Sequence, residues 1–147
     1  MLEDFIQVNG IKAQITLSEE RVGTGDQAQR RDPALPVVKT ILLAHEQGFV
    51  LAILEAPKKI SFPKIERLLS TTHLRLATPT EVEEVTGYPI GGVPPISIYG
   101  TPTLIDEQVM VHSKVVAGGG SAFALLTIAS TDIAAHAYEA RIVDITV

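Results

Sequence analysis

The chain has 147 residues, of which 46% are hydrophobic and 20% charged, and its net charge is −5. That is enough length and apolar content for one compact domain, here residues 1–147, with its own core. Cysteine is absent, which excludes disulfides, thiolate nucleophiles and cysteine-ligated metal, and Trp is absent too, so Val, Ile, Leu and Ala must fill the core.

Residues 2–9 read as a short helix that Gly10 ends, and Lys12–Thr16 as a strand. The polar stretch 19–36, with Gly23, Gly25 and a charged run from Asp26 to Asp32, reads as a long loop and a flap. Val37–His45 and Phe49–Leu54 are nearly continuous apolar runs joined by Glu46-Gln47-Gly48. They predict a hairpin covered on both faces. Ser61 is placed to cap a helix with Pro63 in its first turn, ending near Leu69. Leu74–Ala77 predicts a short strand. Thr78 and Glu81 have capping-box spacing, with Pro79 at the first helical position and Gly87 at the end.

From Tyr88 to Pro102 four Pro and three Gly impose loop. Then come a strand at Thr103–Ile105, a helical turn at Glu107–Val111, a strand at Lys114–Ala117, a tight turn at Gly118–Gly120 and a strand at Phe123–Ile128. Ser130 is placed to cap a last helix reaching Tyr138, before a strand at Arg141–Ile145. The expected fold is α/β mixed, of α+β type: a curved, largely antiparallel or mixed sheet flanked by short helices.

Familiar motifs do not appear. There is no Walker A string and no Gly-x-Ser-x-Gly elbow, and the triple glycine precedes a strand rather than a phosphate-binding helix. His45, His73, His112 and His136 stand far apart, so neither a metal site nor a cofactor is expected. No apolar run approaches the ~20 residues of a membrane span, and Met1-Leu2-Glu3-Asp4 lacks the features of a signal peptide. The expectation is a cytoplasmic protein without a membrane partner. Charge is unevenly spread: between Arg30 and Arg75 eight basic residues face four acidic ones, and the rest of the chain sums to −9. This fits either one basic face or an ordinary solvated surface.

Three features stand out. Lys39 sits in an apolar strand. It is either a strand-end lysine snorkelling to water or one held in a cleft for an anionic substrate. Gly91-Gly92-Val93-Pro94-Pro95 is either a rigid turn or a loop whose N–H groups converge on an oxyanion. Asp132 reads most simply as a first-turn carboxylate of the last helix.

In order along the chain stand Val38-Lys39-Thr40-Ile41-Leu42-Leu43, Leu74 to Val82, Thr86-Gly87-Tyr88-Pro89-Ile90-Gly91-Gly92-Val93-Pro94-Pro95, Ile105-Asp106, the triple glycine and Val143-Asp144-Ile145. This ordered set resembles the YbaK / prolyl-tRNA-synthetase-associated editing domain family over about residues 36–147. The resemblance implies a trans-acting deacylase that hydrolyses the ester of mischarged aminoacyl-tRNA. Its substrate would be proline tRNA carrying Ala, Cys or a similar small residue, and prolyl-tRNA synthetase a partner. It also implies that Lys39 is the essential lysine, with Gly91 and Gly92 acting beside it. Thr40, Val93, Pro94, Pro95 and Asp132 would line the pocket. An activated ester needs a placed water and a stabilised oxyanion rather than a strong protein nucleophile. Two departures, Ile96-Ser97-Ile98-Tyr99 after the prolines and Thr131 before Asp132, touch the pocket rim. The alternatives are a non-catalytic tRNA- or synthetase-binding module and a hydrolase of other small acyl esters. The editing reading expects Lys39 inside a closed sheet, facing the glycine–proline rim, and falls if the ammonium stands in open water far from that rim.

Overall fold

The structure is a computed structural model that describes residues 1–18 and 35–147. The flap expected over 19–36, with Arg30 and Arg31, falls almost wholly outside the described residues.

Two sheets, rather than one, carry the core. The larger has the order β4 (Arg75–Leu76), β2 (Val38–His45), β3 (Gly48–Glu55), β5 (Thr103–Asp106), β8 (Arg141–Val143). The smaller has the order β1 (Gln14–Leu17), β7 (Ala124–Ala129), β6 (Lys114–Gly118). β5 runs parallel to β3 and β8, and the other pairings are antiparallel. Val37 joins the two sheets through a parallel bridge to Val116, reinforced by Val116 N–H donating to Pro36 O at 2.9 Å. The sheets stay open, so Lys39 is not inside a closed barrel. One seam holds them instead.

The hairpin β2–β3 is covered on both faces over most of its length, which explains its nearly continuous apolar sequence. Val38, Leu42, Leu51 and Ile53 face the smaller sheet, meeting Val115, Ala117, Leu126 and Ile128. Leu43, Val50 and Ala52 face the other way, against Ile65 of helix α2 (Phe62–Leu69), Leu104 and Ile145.

Local chemistry sets most element ends. Helix α1 (Leu2–Val8) closes in a Schellman arrangement. Ile11 N–H donates to Ile6 O and Gly10 N–H to Gln7 O, with Gly10 at φ +64°. Helix α3 (Pro79–Thr86) opens with a reciprocal capping box: Glu81 N–H donates to Thr78 Oγ1 at 3.2 Å, and Thr78 N–H to Glu81 Oε1 at 2.9 Å. It ends at Gly87, φ +81°.

Three ends differ from expectation. The hydroxyl of Ser130 does not cap helix α4 (Ser130–His136). It donates to His112 O at 2.5 Å. Strand β8 stops at Val143 because Ile145 N–H donates to buried Asp106 Oδ1, whose other oxygen accepts from Gln108 N–H in the 3₁₀ turn Glu107–Val111. The β6–β7 connection spans residues 119–123, longer than a tight glycine turn, with Gly119 N–H donating to Ala124 O.

Glu81 also takes both guanidinium nitrogens of Arg75, at 2.7 and 2.9 Å. These bonds, led by the Arg75 pair, hold its carboxyl down at about 2, against 4.5 ordinarily. Its contribution is therefore complete above about pH 4.5 and lost as pH falls toward 2. In thermal melts, Glu81→Ala should lower the midpoint by an amount that is constant above pH 5 and fades with acidification. A gap that persisted at pH 2 would contradict this.

Candidate functional site

Beside the seam at Val37, Lys39 and Thr40 near the start of β2 are only partly buried. There a cavity of about 240 Å³ opens, lined by Lys39, Thr40, Gly91, Val93 and Gly118 with apolar Val37, Val38, Ala56, Ala117 and Leu125. Lys39 and Thr40 pair with Leu54 and Ile53 across the hairpin and so leave opposite faces of the strand. Both reach the cavity because β2 begins at its wall.

The loop after α3 is anchored at both ends. Thr86 Oγ1 donates to Val82 O at 2.6 Å and accepts from Tyr88 N–H at 3.1 Å. Buried Tyr88 shares a 2.9 Å hydrogen bond with Ser97. Residues 92–98 are buried throughout. The middle of the loop lies against the β6–β7 connection, where Gly120 N–H donates to Gly92 O at 2.8 Å. Close approach requires glycine on both sides. A Cβ on Gly92 would lie 2.7 Å from the Ser121 carbonyl carbon, and one on Gly118 would press on the Val93 carbonyl, 2.9 Å from its carbon. Gly118, read from sequence only as a turn residue, is thus the floor on which the loop is seated. The signal that could have found it is the glycine following an apolar strand, which also marks a close backbone approach.

The sequence-predicted residues divide. Lys39, Thr40, Gly91 and Val93 come together in the cavity. Gly92 does not offer its N–H, which donates to Pro89 O at 3.0 Å, so the converging donors expected of this loop narrow to Gly91 and Val93. Those two N–H groups make no hydrogen bond among the described residues. Pro94 and Pro95 are buried within the loop and do not line the cavity. Asp132 is not in it either. It lies in the first turn of α4, beyond Ala129, whereas Leu125 is the β7 residue at the cavity wall. Four strand steps of about 3.3 Å separate those two residues.

The polar groups in the cavity lack partners. Lys39 forms no ion pair among the described residues, and burial pushes its amine below the ordinary lysine value. Thr40 Oγ1 is buried with no hydrogen bond. Elsewhere, buried polar groups such as Asp106 are satisfied. An ammonium and a hydroxyl, on residues that share one small space with Gly91 and Val93, suit an oxyanion or a carbonyl oxygen. Among the described residues no three His, Asp or Glu side chains are grouped to hold a metal. A larger groove, about 550 Å³, lies between α1 and the end of α3. Its lining mixes apolar side chains with Asn9, Thr86 and Ser97 and carries two carboxylates, Asp4 and Glu84; its one cation, the Met1 ammonium, is paired with Asp4, so it is poorly suited to an anion.

A family model described as "Aminoacyl-tRNA editing domain" matches residues 25–135. Similar curated proteins include a proline–tRNA ligase of Lactobacillus delbrueckii subsp. bulgaricus, 32% identical over 102 residues, which are 68% of this chain and 18% of the ligase. A proline–tRNA ligase of Pseudothermotoga lettingae is 30% identical over 83 residues, 56% of this chain and 14% of that one. The chain therefore matches less than a fifth of these relatives' length. Two solved structures align over 99% of the chain with a TM-score of 0.90. One is the hypothetical protein APE2540, 25% identical and 99% covered. The other is a candidate trans-editing enzyme for prolyl tRNA synthetase, 27% identical and 94% covered.

Gly118→Ala should cost roughly 1–3 kcal/mol in denaturant unfolding, the usual scale of overpacking, because the Val93 carbonyl must move. An unchanged midpoint would mean that the loop is not seated on this glycine.

Proposed function

The chain belongs to the aminoacyl-tRNA editing domain family, and from that premise we propose that it is a deacylase cleaving the ester of mischarged aminoacyl-tRNA in the Lys39 cavity. The reading extends to proline tRNA carrying alanine, cysteine or another small residue, with prolyl-tRNA synthetase as a partner, acting in the cytoplasm. The observation that carries it is the meeting of Lys39, Thr40, Gly91 and Val93 around one space of about 240 Å³. That is several times the roughly 30 Å³ of one water. It accommodates a small aminoacyl group and an attacking water.

The chemistry needs little more. Water attacks the ester carbonyl, a C–O bond forms, and negative charge gathers on the carbonyl oxygen. The bond to the ribose oxygen then breaks, that oxygen takes the proton released by the water, and free amino acid leaves. Lys39 as a cation, with the N–H groups of Gly91 and Val93, stabilises the charge that develops. Thr40 supplies a hydroxyl able to orient the water or the substrate's amino group. A partly desolvated ammonium acts more strongly than one in bulk water. Removing one such donor typically costs about 10²–10³ in rate.

With proline tRNA charged with alanine or cysteine, Lys39→Ala should release amino acid at least about 100-fold more slowly than the wild type. Equal release by both proteins would refute the assignment. Stability should move the other way. Because burial lowers the native amine's pKa, the unfolded chain holds its proton to higher pH. Wild-type stability therefore rises with pH between the lowered native value and the ordinary 10.5. Lys39→Met should be at least as stable as wild type at pH 7, and any advantage should shrink by pH 10, read in urea titrations. An advantage that grew with pH would rule out desolvation as the cause.

A further inference from the structure

Lys58, Lys59, Lys64 and Arg75 have different surroundings. Lys64 is a clamp on the C-terminal segment, 2.8 Å from Asp144 Oδ2 and 2.7 Å from Thr146 O. Arg75 is engaged by Glu81. Lys58 and Lys59 are exposed, and neither side chain has an ion pair or hydrogen bond among the described residues. The carboxylates nearest in sequence are occupied. Glu55 lies 3.0 Å from His112 Nε2, and Glu66 accepts from Leu74 N–H at 3.3 Å.

The backbone beneath these two lysines is fixed. Ala56 N–H donates to Val37 O at 2.8 Å and Lys58 N–H to Glu55 O at 3.0 Å. Lys59 O accepts from Val147 N–H at 3.0 Å, and Ile60 bridges Thr146. Ala56 is itself part of the cavity wall. Lys58 follows it by two Cα steps of about 3.8 Å each. Two unpaired ammonium groups on free stems thus stand on a rigid turn that continues directly from the site.

We propose that the Lys58–Lys59 turn is a docking point for RNA backbone phosphates and aligns the aminoacyl end with Lys39. This rests on the deacylase reading. The reacting ester sits at the 3′ end of an anionic chain, so an ester within the cavity brings phosphates past its rim. Lysine suits such phosphates, because it is a strongly hydrated point charge that carries no base specificity. The turn contributes affinity and register, while Lys39 and the loop N–H groups act on the ester.

The test compares wild type, Lys58→Ala/Lys59→Ala and the control Lys114→Ala, which removes an exposed lysine at the far end of β6 from Gly118. Binding of uncharged proline tRNA is measured between about 50 and 200 mM salt, the range in which phosphate contacts show themselves. Losing two contacts at roughly 0.7–0.9 each should flatten the log–log salt slope by about 1.4–1.8. The wild type then loses about tenfold more affinity over that range than the double variant does. In parallel, kcat/KM on alanyl-tRNA for proline should fall in the double variant, while turnover of 3′-alanyl-adenosine, which lacks the phosphates, should hold. An unchanged salt slope, an equal flattening by Lys114→Ala, or an equal loss on alanyl-adenosine would overturn the proposal. If the wild type hydrolyses neither ester, the deacylase reading falls, and the salt slopes still decide the docking site.

Discussion

The structure depends on the bridge between Val37 and Val116. At that point β2 leaves the hairpin and touches the smaller sheet, and the two sheets become one body. Beyond Thr40 the strand is covered on both faces. At Lys39 and Thr40 it is only partly covered, and the cavity opens there. A lysine is tolerated at position 39 because it stands at that opening. A slip of one residue in the β2–β3 register would exchange the faces of Lys39 and Thr40 and send the ammonium toward the smaller sheet. The register is held by the core on both sides: Leu42 and Leu51 toward the smaller sheet, Leu43 and Val50 toward α2.

Hydrogen bonding separates this site from the rest of the molecule. Asp106 is fully buried and each carboxylate oxygen accepts an N–H. Tyr88 and Ser97 satisfy each other. Around the cavity the pattern reverses: Thr40 Oγ1, the N–H groups of Gly91 and Val93, and the Lys39 amine stand without partners among the described residues. A buried unmade hydrogen bond costs about 1–3 kcal/mol. Among the described residues Thr40 Oγ1 is the buried side-chain atom left without a bond, so that cost falls where a ligand would relieve it. The glycines serve the same end, since Gly92 and Gly118 let two backbones meet where any side chain would hold them apart.

Sequence reading succeeded where the cause was local. The capping box of Thr78 and Glu81, the glycine stop at Gly87 and the two-sided apolar hairpin each depend on neighbours within a few residues, and each formed near its expected place. It failed where another group, most often a distant one, competed for the same atom. Ser130 has the form of a cap, yet its hydroxyl goes to His112 O, 18 residues away. Ile145 continues an apolar strand, yet its N–H goes to Asp106, 39 residues away. Gly92 resembles a free donor, yet its N–H closes a turn onto Pro89.

The sequence by itself therefore determined the elements and the two-faced apolar hairpin, and it raised the expectation that Lys39, Thr40, Gly91 and Val93 belong together. Family resemblance supplied that last grouping, because spacing cannot bring position 39 to position 91. Only the tertiary structure decided that the sheets stay open, that Asp132 and the two prolines stand outside the cavity, and that Gly118 forms its floor. The physical reason is that caps and periodicity act through bonds a few residues long. A cavity is the space left where two separately formed surfaces fail to meet, and that depends on how the sheets join at Val37.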